Sequence, residues 1–248
     1  MICISRPLRR VNFRCPLWRP GLAALLCLMA CNSNSLTRTR ASEAIGSSDE
    51  FQKPVSITLL PEYRQSLTLI GSGSQTTPKT EVALGRFLES RPELAALRHL
   101  GLVELSIKNI EHPDSASSPV TVATSLTSEG RVASRQWQQS GNGWTIPIAK
   151  RELIEVTGMA GAEGESKQSR VEYMWRWQPT DVGASFDTSS QAHQNLPASI
   201  RKSLGGGSFA DALHSVGQLV LFDSSKTQKA TATLQLYDDG WRVTQAGT

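Results

Sequence analysis

Apolar and polar residues alternate most regularly in the stretch Arg170–Gln178. Val171, Tyr173, Trp175 and Trp177 share one parity, and the positions between them are mainly polar. Because side chains on a strand point alternately to opposite faces, this period of two predicts a strand with one buried face. We expect this strand to be central in its sheet. Further strands are predicted over residues 55–60, 67–70, 102–108, 120–126, 131–138, 144–148, 153–157, 219–222, 230–237 and 241–244.

Helical signals come before most of these strands. Thr77-Pro78 supplies an N-cap and a first helical residue, and Ser90-Arg91-Pro92-Glu93 has the spacing of a capping box. Gly101 is a typical terminator of the second helix. The apolar faces of the two predicted helices consist of Val82, Leu84, Phe87 and Leu88 in the first and Leu94, Leu97 and Leu100 in the second. A short helix is also predicted over residues 198–204, and another over Phe209, Leu213 and Val216.

Helices followed by hairpin-linked strands favour an α+β fold, with N-terminal helices packed on a mostly antiparallel, multi-stranded curved sheet. The helices around Leu84–Leu100 are the expected cover for the central strand. The alternative is a β-sandwich with peripheral helices. The order of helix and then meander, with long strands rich in aromatic residues, resembles the cystatin-like cone shared with nuclear-transport-factor-like domains.

The N-terminal stretch predicts export from the cytoplasm. Residues 1–20 contain five arginines and no acidic residue, and the apolar run Leu22–Ala30 follows. This arrangement is typical of a secretory signal peptide, and the run is too short to span a bilayer. The sequence Leu28-Met29-Ala30-Cys31 resembles the lipobox of bacterial lipoproteins. The resemblance implies that Cys31 carries lipid, palmitate included, and becomes the mature N-terminus, and Asn32 then implies the outer membrane, facing the periplasm.

The cysteine census agrees with an anchor, since all four cysteines lie at or before Cys31. Residues 31–54 are polar and poor in large apolar side chains, so we expect a flexible tether after the signal peptide of residues 1–30. Residues 55–248 then form a single α+β domain. Beyond the leader, 21 basic residues face 22 acidic ones, which argues against nucleic acid as a partner.

The sequence contains no recognisable catalytic motif. The four histidines lack the spacing of a metal site, and we expect neither a metal nor a cofactor. Glu172 and Arg176 share the polar face of the predicted central strand, while Trp144 and Trp241 adjoin turns. These four are the candidate ligand contacts.

Two functional interpretations remain. The first is a non-enzymatic lipoprotein of the cell envelope, held to membrane lipid through Cys31, whose domain binds a small ligand or an envelope protein or scaffolds an assembly. The alternative is a hydrolase or isomerase with a pocket inside the sheet, using carboxylates such as Glu172 or Asp181.

Overall fold

The computed structural model describes residues 35–69, 79–113, 115, 117–161, 167–205 and 221–247. The predicted signal peptide, Cys31 and the predicted helix around Leu213 lie outside the described residues. The chain divides at Ser35 and Leu36, and every element below belongs to the unit that begins at Leu36.

The helices are α1 (Arg38–Gly46), α2 (Asp49–Gln52), α3 (Lys79–Ser90), α4 (Pro92–His99), α5 (Ser128–Ala133), α6 (Gln191–Gln194) and α7 (Ala198–Gly205). The strands are β1 (Val55–Leu59), β2 (Glu62–Thr68), β3 (Val103–Ile110), β4 (Ser117–Leu126), β5 (Gln138–Ser140), β6 (Gly143–Ala160), β7 (Gln168–Pro179), β8 (Gln228–Tyr237) and β9 (Gly240–Gly247).

The strands form two antiparallel sheets. The larger has the order β1-β6-β7-β8-β9, with β5 also paired to β6, and the smaller has the order β2-β4-β3. The long strand β6 changes register at Leu153/Glu155 and again at Val156/Gly158, and bulges of this kind bend a sheet. The result is a curled sheet with helices packed on it, which confirms the predicted α+β class.

Strand β7 is the central strand of the larger sheet, as predicted. Val171, Tyr173, Trp175 and Trp177 are all buried, and Trp175 is only 2% exposed. The hairpin turns are confirmed as well, because β5 and β6 are joined at Gly141 and Asn142, and the turn before β9 ends at Gly240. Gly141 and Gly240 have φ angles of 60° and 128°, which glycine adopts without a steric penalty.

The prediction of which helices cover the central strand is wrong. Helix α3 packs against β2 and β3 of the smaller sheet, and α4 packs against β3. The two helices also contact each other, and both contact α7. The larger sheet is covered instead by α1, which contacts β6, β8 and β9, and by α2, which contacts β6. The ring of Phe51 in α2 lies 5.9 Å from the ring of Tyr173 in β7.

The prediction of a flexible tether is therefore wrong from Leu36 to Pro54. Leu36, Ile45 and Phe51 are buried in the main hydrophobic core, although large apolar residues are sparse in this stretch. Ala41 and Ala44 are buried between them, and such small side chains let a helix lie close to the sheet. Composition counts apolar residues, whereas packing depends on their positions. In α1 the buried residues are Ala41, Ala44 and Ile45, which share one face of the helix.

The predicted strand over residues 131–138 is mostly helical. Helix α5 begins after Thr127, whose side chain accepts a hydrogen bond from the backbone N–H of Gly130. A Cβ atom on Gly130 would lie 1.9 Å from the carbonyl oxygen of Leu102, so the turn brings two backbones into direct contact. The N-cap at Thr127 was the signal that the strand prediction overlooked.

The predicted capping box at the start of α4 is also wrong. The N-cap is Arg91, which makes no side-chain capping bond. The Ser90 hydroxyl instead donates to the carbonyl oxygen of Phe87, at the end of α3. The predicted end of α4 is confirmed, since Gly101 has a φ angle of 70°. Within the described part of the chain, no helix is long and apolar enough to cross a membrane.

Candidate functional site

The two charged candidates on β7 do not form a shared site. Glu172 is exposed on the outer face of the larger sheet, where it borders a hollow with Lys229 of the neighbouring strand. Arg176 forms an exposed ion pair with Glu152 of β6, with Nε 2.7 Å from Oε2. Asp181 is exposed as well. Of the two carboxylates named for the enzyme interpretation, Glu172 lines a cavity of about 540 Å³ and Asp181 does not line it, so the two do not share one pocket.

The two tryptophan candidates are also far apart along the sheet. Trp144 is partly buried beside Trp137, with their ring centroids 6.4 Å apart. Trp241 begins the exposed end strand and lines a separate groove. The structure therefore does not bring the four sequence candidates together, and Trp241 alone leads to a cavity that involves both a helix and a strand edge.

We call this cavity the β9 groove, and its volume is about 460 Å³. One wall consists of Ala44 and residues 47–50, at the turn between α1 and α2. The other wall is the six consecutive residues from Trp241 to Ala246. Successive side chains of a strand point to opposite faces, so a cavity lined by all six must run along the backbone edge of β9.

Strand β9 is the end strand of the larger sheet. Within the part of the chain that the structure describes, its one strand partner is β8, paired from Thr231↔Gly247 to Tyr237↔Gly240. Among the described residues, the outer edge of β9 makes no backbone hydrogen bond from Arg242 to Gly247. An end strand of this kind presents a row of N–H and C=O groups to which another chain can pair.

A charged pair lies beneath the α2 wall of the groove. Glu50, which lines the groove, forms an ion pair with Arg151 of β6. The guanidinium carbon of Arg151 lies 4.4 Å from the ring centroid of Trp175 and 5.6 Å from that of Trp177. Burial lowers the pKa of Arg151, and its interaction with Tyr173 acts in the opposite direction. The aromatic faces and Glu50 together hold the cation in a largely apolar setting.

Three polar atoms of this cluster have no hydrogen bond, and one of them, Arg151 Nη1, is the atom that forms the ion pair with Glu50. Glu50 Oε2 and Trp175 Nε1 are buried and lack a hydrogen-bond partner among the described residues. Leaving such a group unpaired costs about 1–3 kcal/mol. The sequence offered no sign of this cluster, because Glu50 lay in the predicted tether and Arg151 occupies a strand with an irregular pattern of burial.

A second polar cluster surrounds Asp187, which is 2% exposed. Its carboxylate accepts hydrogen bonds from the backbone N–H and the hydroxyl of both Ser189 and Ser224. Burial by itself would raise the pKa of Asp187, but these four bonds favour the charged form more strongly and leave the pKa lowered. With its acceptor positions occupied by main-chain and hydroxyl donors, this carboxylate joins two loops and is not available as a general base.

None of the family models, curated proteins or solved structures compared with the chain matches it. Within the described ranges, no group of three or more His, Cys, Asp or Glu side chains is arranged to hold a metal ion. The assignment of a role therefore depends on the geometry of the grooves and on the N-terminal sequence.

Proposed function

We propose that this protein is a lipid-anchored protein of the bacterial cell envelope that binds an extended segment of another envelope protein along β9. The observation that supports this role is the β9 groove. It combines the strand edge from Arg242 to Gly247, which pairs with no other strand in the described part of the chain, with a facing helical wall. A segment that enters the groove can therefore pair with the strand and contact side chains of α1 and α2 at once.

Strand addition supplies affinity through main-chain hydrogen bonds and selectivity through side-chain contacts. In the β9 groove, Trp241 offers an aromatic surface, whereas Asp49 and Glu50 of the helical wall already form ion pairs with Lys53 and Arg151. Natural proteins usually protect an exposed edge with lysine, proline or a short strand. Strand β9 is eight residues long and contains neither lysine nor proline, so its protection is limited to a bulge at Thr244 and the charge of Arg242, which pairs with Asp239. The segment bound by this edge is expected to be extended and to carry an apolar or aromatic residue opposite Trp241.

The membrane anchor in this proposal is Cys31, through the resemblance of residues 28–31 to a lipobox. Cys31→Ser is expected to move the protein from the membrane fraction to the soluble fraction and to abolish incorporation of labelled palmitate. Continued labelling of this variant, or a wild-type protein that is already soluble, would rule out the anchor. This test is independent of the β9 groove.

Strand addition can be tested with a matched pair of substitutions. Gln245 lines the groove and is exposed, whereas Gln178 is exposed on β7, lies opposite Lys150 of β6 and does not line the groove. A photo-crosslinking residue at Thr244 would identify the partner segment in intact cells. A synthetic peptide of that segment is then added to purified wild-type, Gln245→Lys and Gln178→Lys proteins, and its binding is measured by fluorescence anisotropy.

The expected result is that Gln245→Lys weakens peptide binding by at least about tenfold, or 1.4 kcal/mol, because a charged residue at an edge opposes pairing. Gln178→Lys should bind as the wild type does. Hydrogen exchange should show that the peptide protects the amides of β9. Equal binding by all three proteins, or protection confined to another element, would contradict strand addition.

A further inference from the structure

A second cavity lies between helices α3, α4 and α7. Its volume is about 570 Å³, within the range of 300–1,000 Å³ that is usual for small-ligand sites. We call it the three-helix groove. None of its described lining residues belongs to the β9 groove, so the two sites can be tested independently.

The three-helix groove has an apolar floor. Leu88 of α3, Ala95 of α4 and Ile200 of α7 line it, and all three are partly buried, so they remain accessible from the cavity. Their side chains come from three different helices, which makes the floor continuous across the groove rather than confined to one helix face. An apolar chain lying on this floor would bury hydrocarbon on both partners, at about 25 cal/mol for each Å² removed from water.

The rim of the groove is polar and carries positive charge. Arg98 and His99, in the last turn of α4, lie on the rim with the hydroxyl-bearing residues Ser199 and Ser203 of α7. Among the described lining residues the one acidic side chain is Glu89, and it is engaged by Arg86, with Oε2 2.9 Å from Nη1. This lining carboxylate is thus already paired with a cation of its own helix.

Arg98, by contrast, is an unpaired cation. It is exposed, and its guanidinium has no ion pair or side-chain hydrogen bond among the described residues. Together the three helices contain five basic and three acidic residues, so the surrounding charge also favours an anion. A cation at the C-terminal end of α4 suits the helix dipole. The helix dipole accounts for a cation at the position of Arg98, but it does not account for the apolar residues beside it.

We propose that the three-helix groove binds a single-chain amphiphilic anion, a carboxylate or a phosphate on an alkyl chain. The anionic group pairs with Arg98 and accepts hydrogen bonds from the serine hydroxyls. The alkyl chain lies over Leu88, Ala95 and Ile200. Arginine is suited to this role because its planar guanidinium can donate two parallel hydrogen bonds to a carboxylate or a phosphate.

The test uses the purified protein without its lipid anchor and isothermal titration with four probes. Dodecanoate and dodecyl phosphate, both kept below their micelle concentrations, compare the two headgroups on the same chain. Inorganic phosphate tests the anion alone, and hexanoate tests the contribution of chain length. The variants are Arg98→Gln and, as a matched control, Arg201→Gln, which removes the same charge from an exposed position of α7 that does not line the groove.

We expect at least one of the two dodecyl probes to bind, with hexanoate weaker by more than about tenfold because six methylenes are no longer buried. Arg98→Gln should weaken binding by at least about tenfold, the loss expected for a charge-assisted hydrogen bond, and Arg201→Gln should leave it within about twofold. A stronger dodecanoate signal identifies the head as a carboxylate, and a stronger dodecyl phosphate signal identifies it as a phosphate.

Three results would overturn the proposal. The first is the absence of binding by both dodecyl probes. The second is inorganic phosphate binding as tightly as dodecyl phosphate, which would mean that the apolar floor plays no part. The third is an equal loss in Arg98→Gln and Arg201→Gln, which would indicate a general attraction of anions to a basic surface. Circular dichroism of each variant establishes that a loss of binding does not come from unfolding.

Discussion

Removal of residues 32–54 is expected to abolish the stable fold. This deletion takes away α1 and α2, and with them the buried side chains of Leu36, Ile45 and Phe51. Full burial of a large apolar side chain contributes about 1.5–3 kcal/mol, so these three contribute roughly 5–9 kcal/mol. The total free energy of unfolding of a domain is about 5–15 kcal/mol. The deletion also exposes the inner face of β7 to water, which adds to the loss.

The assay compares three purified chains by urea denaturation and thermal circular dichroism, beginning at Asn32, at Leu36 and at Val55. The chain that begins at Leu36 should match the longest one, because it retains every described element of the unit. The chain that begins at Val55 should show no cooperative transition and should bind a hydrophobic dye.

Phe51→Ala in the longest chain provides an intermediate case. Truncation of a buried phenylalanine costs about 3–5 kcal/mol. For a domain of this length, that loss lowers the melting temperature by about 6–20 °C. If the chain beginning at Val55 melts cooperatively within a few degrees of the longest chain, then α1 and α2 are not part of the core and the reasoning fails.

The remaining predictions concern two buried residues. Trp175→Ala should lower the free energy of unfolding by about 3–5 kcal/mol, whereas Arg176→Ala, on the exposed face, should lower it by less than about 1 kcal/mol; equal losses in urea denaturation would contradict the assignment of the two faces. The pKa of Asp187 is lowered by folding, so its contribution to stability is complete above the unfolded-state value of about 3.9 and is lost as the pH falls through the folded-state pKa. Asp187→Asn should therefore lose less stability than the wild type between about pH 4 and pH 2, and parallel pH profiles of the two proteins would refute this.

The sequence predicts the sheet well because a strand pairs and buries its residues by a simple rule. The parity of Val171, Tyr173, Trp175 and Trp177 is visible in the chain, and the same parity is buried in the structure. Hairpin turns are predicted equally well, since the glycine-containing turn before β6 and the one before β9 depend on local backbone geometry alone. Both signals act over only a few neighbouring residues.

The sequence did not predict helices α1 and α5, and the reason differs between the two. In α1 the buried positions are filled by alanines and one isoleucine, so the mean composition resembles that of a tether although the packing is close. In α5 the residues from 131 onward were predicted to form a strand, whereas the N-cap at Thr127 begins a helix there. The choice between such signals is made by tertiary contacts that a single sequence does not display.

The candidate sites were less predictable than the fold. The β9 groove joins residues 44–50 to residues 241–246, almost the full length of the chain apart, and the three-helix groove joins α3 and α4 to α7. Trp241 was identified because a tryptophan beside a turn is unusual, but Arg98 had no such signal. Whether an arginine is paired depends on side chains distant in sequence, so its exposure and isolation could be learned only from the fold.

The burial of Leu36 has a consequence for how far the protein can reach. On the proposed anchor at Cys31, five peptide units separate the lipid from the folded body, and fully extended they span at most about 18 Å. A domain of this length has a radius of gyration of about 17 Å, so the segment that joins it to the lipid is shorter than the diameter of the domain. It would lie against the leaflet that holds it, and any partner would have to come to the membrane surface to meet it.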